Sequence, residues 1–193
     1  MWRPALAVPK QVKPLAEVLV EGELSPFEHE AIYQLLKKRF TISQPNYVDL
    51  PDENLATRVT ITFHHPYNLS FFRDTFQEGW HDLKDILKEV RYRRGGAGAA
   101  FNLVFIDEKK QLVFILGLLN SEQISSAIDQ IGHLTSIVKM ITESWNMTTP
   151  LDRIECVFDG RTDRWNDYQG YVSTDEKRLF RFDDQSFRWT TAE

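Results

Sequence analysis

One cysteine, Cys156, stands among the 193 residues of this sequence. A disulfide within the chain and a thiolate metal cluster are thereby excluded. A reducing compartment is the simplest setting, so a cytoplasmic location is expected. Long hydrophobic runs are missing as well. The longest, Leu112 to Leu119, is far short of the roughly 20 residues that cross a bilayer, and Met1 to Lys10 has no apolar stretch of signal-peptide length. No membrane role is expected. Excess positive charge is also absent: 23 Lys and Arg stand against 28 Asp and Glu, a net charge of -5. That balance disfavours nucleic acid as a broad-surface partner. Nothing matches a Walker A loop, a dinucleotide fingerprint, zinc-finger spacing, an EF-hand, HExxH or GxSxG. No metal and no cofactor is therefore called for. Asn68-Leu69-Ser70 and Asn146-Met147-Thr148 match the glycosylation pattern, and without a secretion signal both are read as chance.

What is present is an ordinary globular composition, 42% apolar and 26% charged, with 13 Phe and 5 Trp. A chain of this length buries roughly 70% of its unfolded surface, enough for one core without staples. A single α+β domain over residues 15–193 is expected behind an extended arm, residues 1–14, that carries Pro4, Pro9 and Pro14.

The strongest pattern runs from Phe101 to Trp145. Two apolar strands, Phe101 to Ile106 and Gln111 to Leu118, flank a turn of Asp107 to Lys110. One long helix is expected next, because Ile124, Ala127, Ile131, Leu134, Val138, Ile141 and Trp145 recur at spacings of three and four. Upstream, Glu17 to Val20 reads as a short strand. Ser25-Pro26-Phe27-Glu28 combines a capping box with proline in the first helical turn, so a helix starts there and fades near Phe40. The stretch from Thr41 to Leu55 reads as a loop. Between Ala56 and His65, Val59, Ile61 and Phe63 alternate with Arg58, Thr60, Thr62 and His64, as in a strand buried on one face. A second helix, about Ser70 to Tyr92, carries Phe72, Phe76, Trp80, Leu83, Leu87 and Val90 inward, and Gly95, Gly96 and Gly98 stop it. After the long helix come a strand from Arg153 to Phe158, a polar loop from Asp159 to Tyr168, and short strands at 170–173, 178–182 and 186–189.

From Ala56 to Phe158 the order is strand, helix, strand, strand, helix, strand. That is the βαββαβ order of the ferredoxin-like superfold, expected here as a core over 56–158 with a β extension over 159–193. Both strands of the central hairpin are apolar on both faces, so the sheet face away from the helices is expected to be covered too, by the N-terminal helix, by the C-terminal strands or by another subunit.

Three candidate sites follow. His64, beside His65 at a strand end, is a candidate base with Arg58 on the same polar face. Surface or structural roles compete with it, because neighbouring strand residues point opposite ways. His81, Asp74 and Glu78 lie on the solvated side of their helix. Arg91, Arg93 and Arg94, followed by Gly95 and Gly96, offer guanidinium groups to a phosphorylated ligand or RNA. A helix C-cap with arginines complementing the helix dipole explains the same residues without a ligand. Trp165, Tyr168 and Tyr171 belong to the residue types that dominate interfaces, although they also anchor hairpins onto a core. Cys156 alternates inward with Ile154 and Phe158 and reads as an inert thiol.

The expected function is a non-enzymatic interaction, assembly or regulatory module, homodimeric or bound to another protein. A phosphate or RNA binder using the arginine loop is one alternative, and an enzyme with its site around His64 is another.

Overall fold

A computed structural model describes residues 12–43, 46–49, 55–108, 110–143, 151–172 and 178–191. Residues 1–11 of the expected arm over 1–14, the Trp145 end of the long helix and the turn at Pro150 lie outside the described residues.

Local sequence chemistry sets the first elements. Strand β1, Leu15–Gly22, leads to helix α1, Pro26–Lys37. The capping box is formed: Glu28 N–H donates to Ser25 Oγ at 3.3 Å, and Ser25 N–H donates to the Glu28 carboxylate at 2.8 Å. The stretch read as a loop after α1 contributes two short strands, β2 at Thr41–Ile42 and β3 at Asn46–Val48, both parallel to β1. Alternation in β4, Thr57–Phe63, is as expected, with Val59, Ile61 and Phe63 buried.

The second helix departs from its periodicity at its start. Phe71–Thr75 is a wide π turn, closed by Phe76 N–H donating to the Phe71 carbonyl at 2.8 Å. Helix α2 proper is Gln77–Arg94, and Gly95, at φ 53, ends it. The slip lets Phe71 and Phe76 both face inward. Strand β5, Ala99–Asp107, turns into β6, Lys110–Leu116.

The single long helix is instead two: α3, Ser121–Ile131, and α4, Thr135–Thr142. Between them His133 N–H reaches the Gln130 carbonyl and Leu134 N–H the Ile131 carbonyl, a tight turn around Gly132. The apolar stripe survives the break, which is why periodicity alone did not mark it. Strand β7, Arg153–Asp159, precedes β8, Arg164–Val172, so most of the supposed polar loop is strand, with a register shift at Val157/Phe158. β9, Arg178–Asp183, and β10, Arg188–Thr191, are the last strands among the described residues.

The ten described strands form one mixed sheet, ordered β10-β9-β8-β7-β6-β5-β4-β1, with β2 and β3 one after the other along the far edge of β1. This overturns the ferredoxin-like expectation. A split βαβ leaves a space between its parallel strands that another strand fills. Here β4 and β5 are hydrogen-bonded parallel neighbours across α2, and so are β6 and β7 across α3 and α4. Neither crossover is split, and the four strands lie in chain order. Element order was readable from hydrophobic periodicity, but that pattern does not say which strands become neighbours.

The main core lies between one sheet face and the four helices. Ile32 and Leu36 of α1, Leu83 and Leu87 of α2, Ile124 and Ile128 of α3, and Val138 and Ile141 of α4 join one cluster with Val18, Ile61, Leu103, Phe114 and Cys156. Phe71 is its hub, with ring centroids 4.9 Å from Phe105 and 5.0 Å from Phe63. The N-terminal helix therefore packs on the same side as the others, and the C-terminal strands widen the sheet. Neither forms a layer on the second face, although Val104 and Val113 at its centre are only 9% and 2% exposed.

Candidate functional site

The described residues include one well-formed cleft at the end of the sheet where β4 and β5 finish and β6 and β7 begin. Past β4 the chain turns at Pro66, and Tyr67 drops onto Phe105 and Phe114, with ring centroids 5.1 and 5.0 Å away. The Tyr67 hydroxyl donates to the Ile131 carbonyl, tying this loop to the end of α3. Burial pushes its pKa well above the ordinary phenol range, so it is a fixed donor rather than an acid. The break at Gly132 carries α4 across the sheet end, opposite this loop. A cleft of about 570 Å³ results.

Its floor is apolar: Phe105, Leu112, Ile154 and Leu151 below, Val138 on one side and Leu69 on the other. Its rim is polar. Asp107 and Lys110 come from the hairpin end, where they are cross-strand partners. Lys139 and Glu143 come from α4 and the residue just after it. Thr135, Ser136 and Thr142 add hydroxyls. An apolar floor with a few polar groups is the usual make-up of small-molecule sites, and this volume falls in their ordinary range.

The residues singled out from the sequence lie elsewhere. His64 sits just past β4, its Nε2 3.4 Å from Glu17 Oε2. Arg58 is near the start of β4, 3.5 Å from Glu21 Oε1. Six residues of strand, about 20 Å at 3.3 Å each, separate His64 from Arg58. The structure does not bring them together. His65 turns inward, its Nδ1 2.8 Å from the Pro66 carbonyl and its Nε2 3.4 Å from Thr75 Oγ1. His81, Asp74 and Glu78 are exposed, and no group of metal-binding side chains occurs among the described residues.

The arginine loop is already engaged within the chain. Arg94 Nε donates to Thr57 Oγ1 at 2.9 Å, Nη1 to Glu28 Oε1 at 3.3 Å, and Nη2 to both Glu28 Oε2 at 2.7 Å and the Glu23 carbonyl at 3.0 Å. Arg91 reaches the Leu119 and Gly95 carbonyls. Arg93 pairs with Glu89 at 2.7 Å and lies over the Phe27 ring at 5.7 Å. Gly95 and Gly96 are exposed at the end of α2, where Gly95 supplies the positive φ that turns the chain.

Of the three aromatics, Trp165 and Tyr168 face the helices. Trp165 Nε1 donates to the Ala127 carbonyl at 3.1 Å, and the Tyr168 hydroxyl to the Trp165 carbonyl at 2.9 Å. Both are buried, so neither ring is presented to a partner. Tyr171 is on the second sheet face, its hydroxyl 3.1 Å from Glu155 Oε2.

No protein-family model, curated protein or solved structure matches this chain. The functional reading therefore rests on this geometry. No helix among the described residues is long and apolar enough to cross a membrane. The cleft went unseen in the sequence because four separate stretches build it, around 66–69, 105–112, 135–143 and 151–154, and none has a motif of its own.

Proposed function

We propose that this protein is a protein–protein interaction module that works as a homodimer, in contact through the outward side of α4. The observation that carries this reading is the distribution of apolar residues around that helix. Val138 and Ile141 point into the core and are buried, while Ile137 and Met140, one turn apart on another side, are 41% and 52% exposed. A helix that is apolar on two sides is normally covered on both. A second copy is the simplest cover, because a two-fold axis sets the same stripe against itself.

α4 spans only about 12 Å at 1.5 Å per residue. Its stripe alone falls short of the roughly 800 Å² per partner that a standard interface buries. The contact therefore extends past the helix, and the dimer dissociates on dilution. Sedimentation equilibrium from about 1 µM to about 1 mM tests this, a range that spans weak association. The average mass is expected to climb from one chain toward two, and Ile137→Glu with Met140→Glu to hold it at one chain with melting unchanged. A wild-type protein that stays at one-chain mass throughout overturns the dimer.

A further inference from the structure

The cleft beneath α4 is separate from the helix's outward stripe and points to a different activity. Its rim carries two charges of each sign on two walls: Asp107 and Lys110 at the hairpin end, Lys139 and Glu143 along the helix. Among the described residues none of the four has an ion-pair partner. Elsewhere on the surface some charges are paired, as where Lys84 meets Asp129 at 2.7 Å and Arg93 meets Glu89 at 2.7 Å, while Asp74, Glu78 and Glu122 likewise have no ion-pair partner among the described residues. What sets the four apart is that they surround one apolar floor. The Thr135 and Ser136 hydroxyls add donors and acceptors on the helix wall.

From this we infer that the cleft binds a small zwitterion with an apolar body, of the apolar α-amino acid class. A simple anion suits Lys110 and Lys139 but meets Asp107 and Glu143 on the same rim. A simple cation has the opposite conflict. A ligand that carries a carboxylate and an ammonium on one carbon satisfies both signs at once, while its side chain covers Phe105, Leu112 and Ile154 on the floor. At about 570 Å³ the cleft has room for one aromatic amino acid together with bound water. The inference does not depend on the dimer, because the stripe of Ile137 and Met140 lies outside the cleft lining.

Three matched probes test it: L-phenylalanine, 3-phenylpropionate, which lacks the ammonium, and 2-phenylethylamine, which lacks the carboxylate. Titrations by calorimetry, with amide chemical shifts to locate the ligand, use the full chain at concentrations where it is a single copy. Phenylalanine is expected to bind at least about tenfold more tightly than either relative, the fold-change of one charge-assisted hydrogen bond. The shifts are expected on α4 and the hairpin end. Lys139→Gln should remove most of the advantage over the amine. Thr142→Trp, at an exposed position on the cleft wall, should abolish all binding without lowering the melting temperature. Equal binding of the three probes, no saturable binding of phenylalanine at millimolar concentration, or binding that survives Thr142→Trp overturns the inference.

Discussion

Arg94 Nη2 lies 2.7 Å from Glu28 Oε2, and the Glu28 side chain it meets is only 3% exposed. The pair joins the end of α2 to the start of α1. Through Thr57 Oγ1 and the Glu23 carbonyl it also holds the entry to β4. Glu28 already closes the capping box of α1, so one carboxylate serves a helix cap and an ion pair together. Three backbone segments meet at that single contact.

Removing one partner of a buried pair leaves the other uncompensated, at a cost of about 3–5 kcal/mol. Arg94→Ala should therefore lower unfolding stability by that order in urea titrations. Arg94→Lys should recover little, because an ammonium cannot replace a planar fork that reaches Thr57, Glu28 and Glu23 at once. A loss under about 1 kcal/mol for Arg94→Ala, typical of an exposed pair, would show that the contact is not the structural junction described above.

Glu28 also fixes a pH dependence. Burial raises its pKa, but the hydrogen bonds from Arg94 and Ser25 outweigh that, and the net direction is down from 4.5. A carboxyl whose folded pKa is depressed adds stability that is complete above its unfolded value and fades as pH falls through the folded one. The stability gap between wild type and Glu28→Gln is thus expected to be constant from neutrality to about 4.5 and to narrow below it. A gap that widens in acid would contradict this sign.

Gly79 reverses the usual rule for glycine in a helix. Replacing it with alanine ordinarily stabilises a helix interior by about 1 kcal/mol. Here an added Cβ would stand 2.1 Å from Cε2 of Phe76, the residue that closes the π turn. Gly79→Ala should displace that ring from the core and destabilise by about 1–3 kcal/mol, the range for overpacking. Thermal melts decide the sign, and a rise in melting temperature would mean that Phe76 has space to move.

Cys156 is fully buried on β7, and burial pushes its thiol far above the ordinary range. The thiolate is the reactive form. Labelling by a disulfide reagent should therefore wait for unfolding and slow in parallel with any variant that stabilises the fold. Rapid labelling of the native protein would require a local opening at β7 well below the global unfolding energy.

Several elements could be read because their signals are local. The capping box at Ser25 and Glu28 fixed the start of α1, the Val59, Ile61 and Phe63 alternation marked β4, and the double-faced hairpin gave β5 and β6. The break at Gly132 could not be read, since the stripe from Ile124 to Ile141 keeps its phase through the turn. The segment from Arg164 to Tyr168 reads as a loop and is strand, for the opposite reason. Its polar residues are on the second sheet face, and Trp165 and Tyr168 reach the core across a register shift.

The candidate sites divide in the same way. Arg91, Arg93 and Arg94 read as a cluster of cations; the Glu89–Arg93 pair follows from i,i+4 spacing on one helix, but only the fold brings the Leu119 carbonyl to Arg91 and Glu28 to Arg94. The cleft shows the converse. Lys110 and Lys139 are unremarkable as sequence, and only folding places them around one apolar floor.

The sequence by itself determined a protein of mixed strands and helices with an aromatic core and a buried thiol. Hydrophobic period and caps act over a few residues and need no distant partner. Tertiary structure alone decided that β4 lies beside β5 and β6 beside β7. It also decided that α1, α2, α3 and α4 share one face, and that α4 turns aside to leave a cleft. Those outcomes depend on contacts between segments tens of residues apart, and a pattern of local period carries no information about which distant segments will meet.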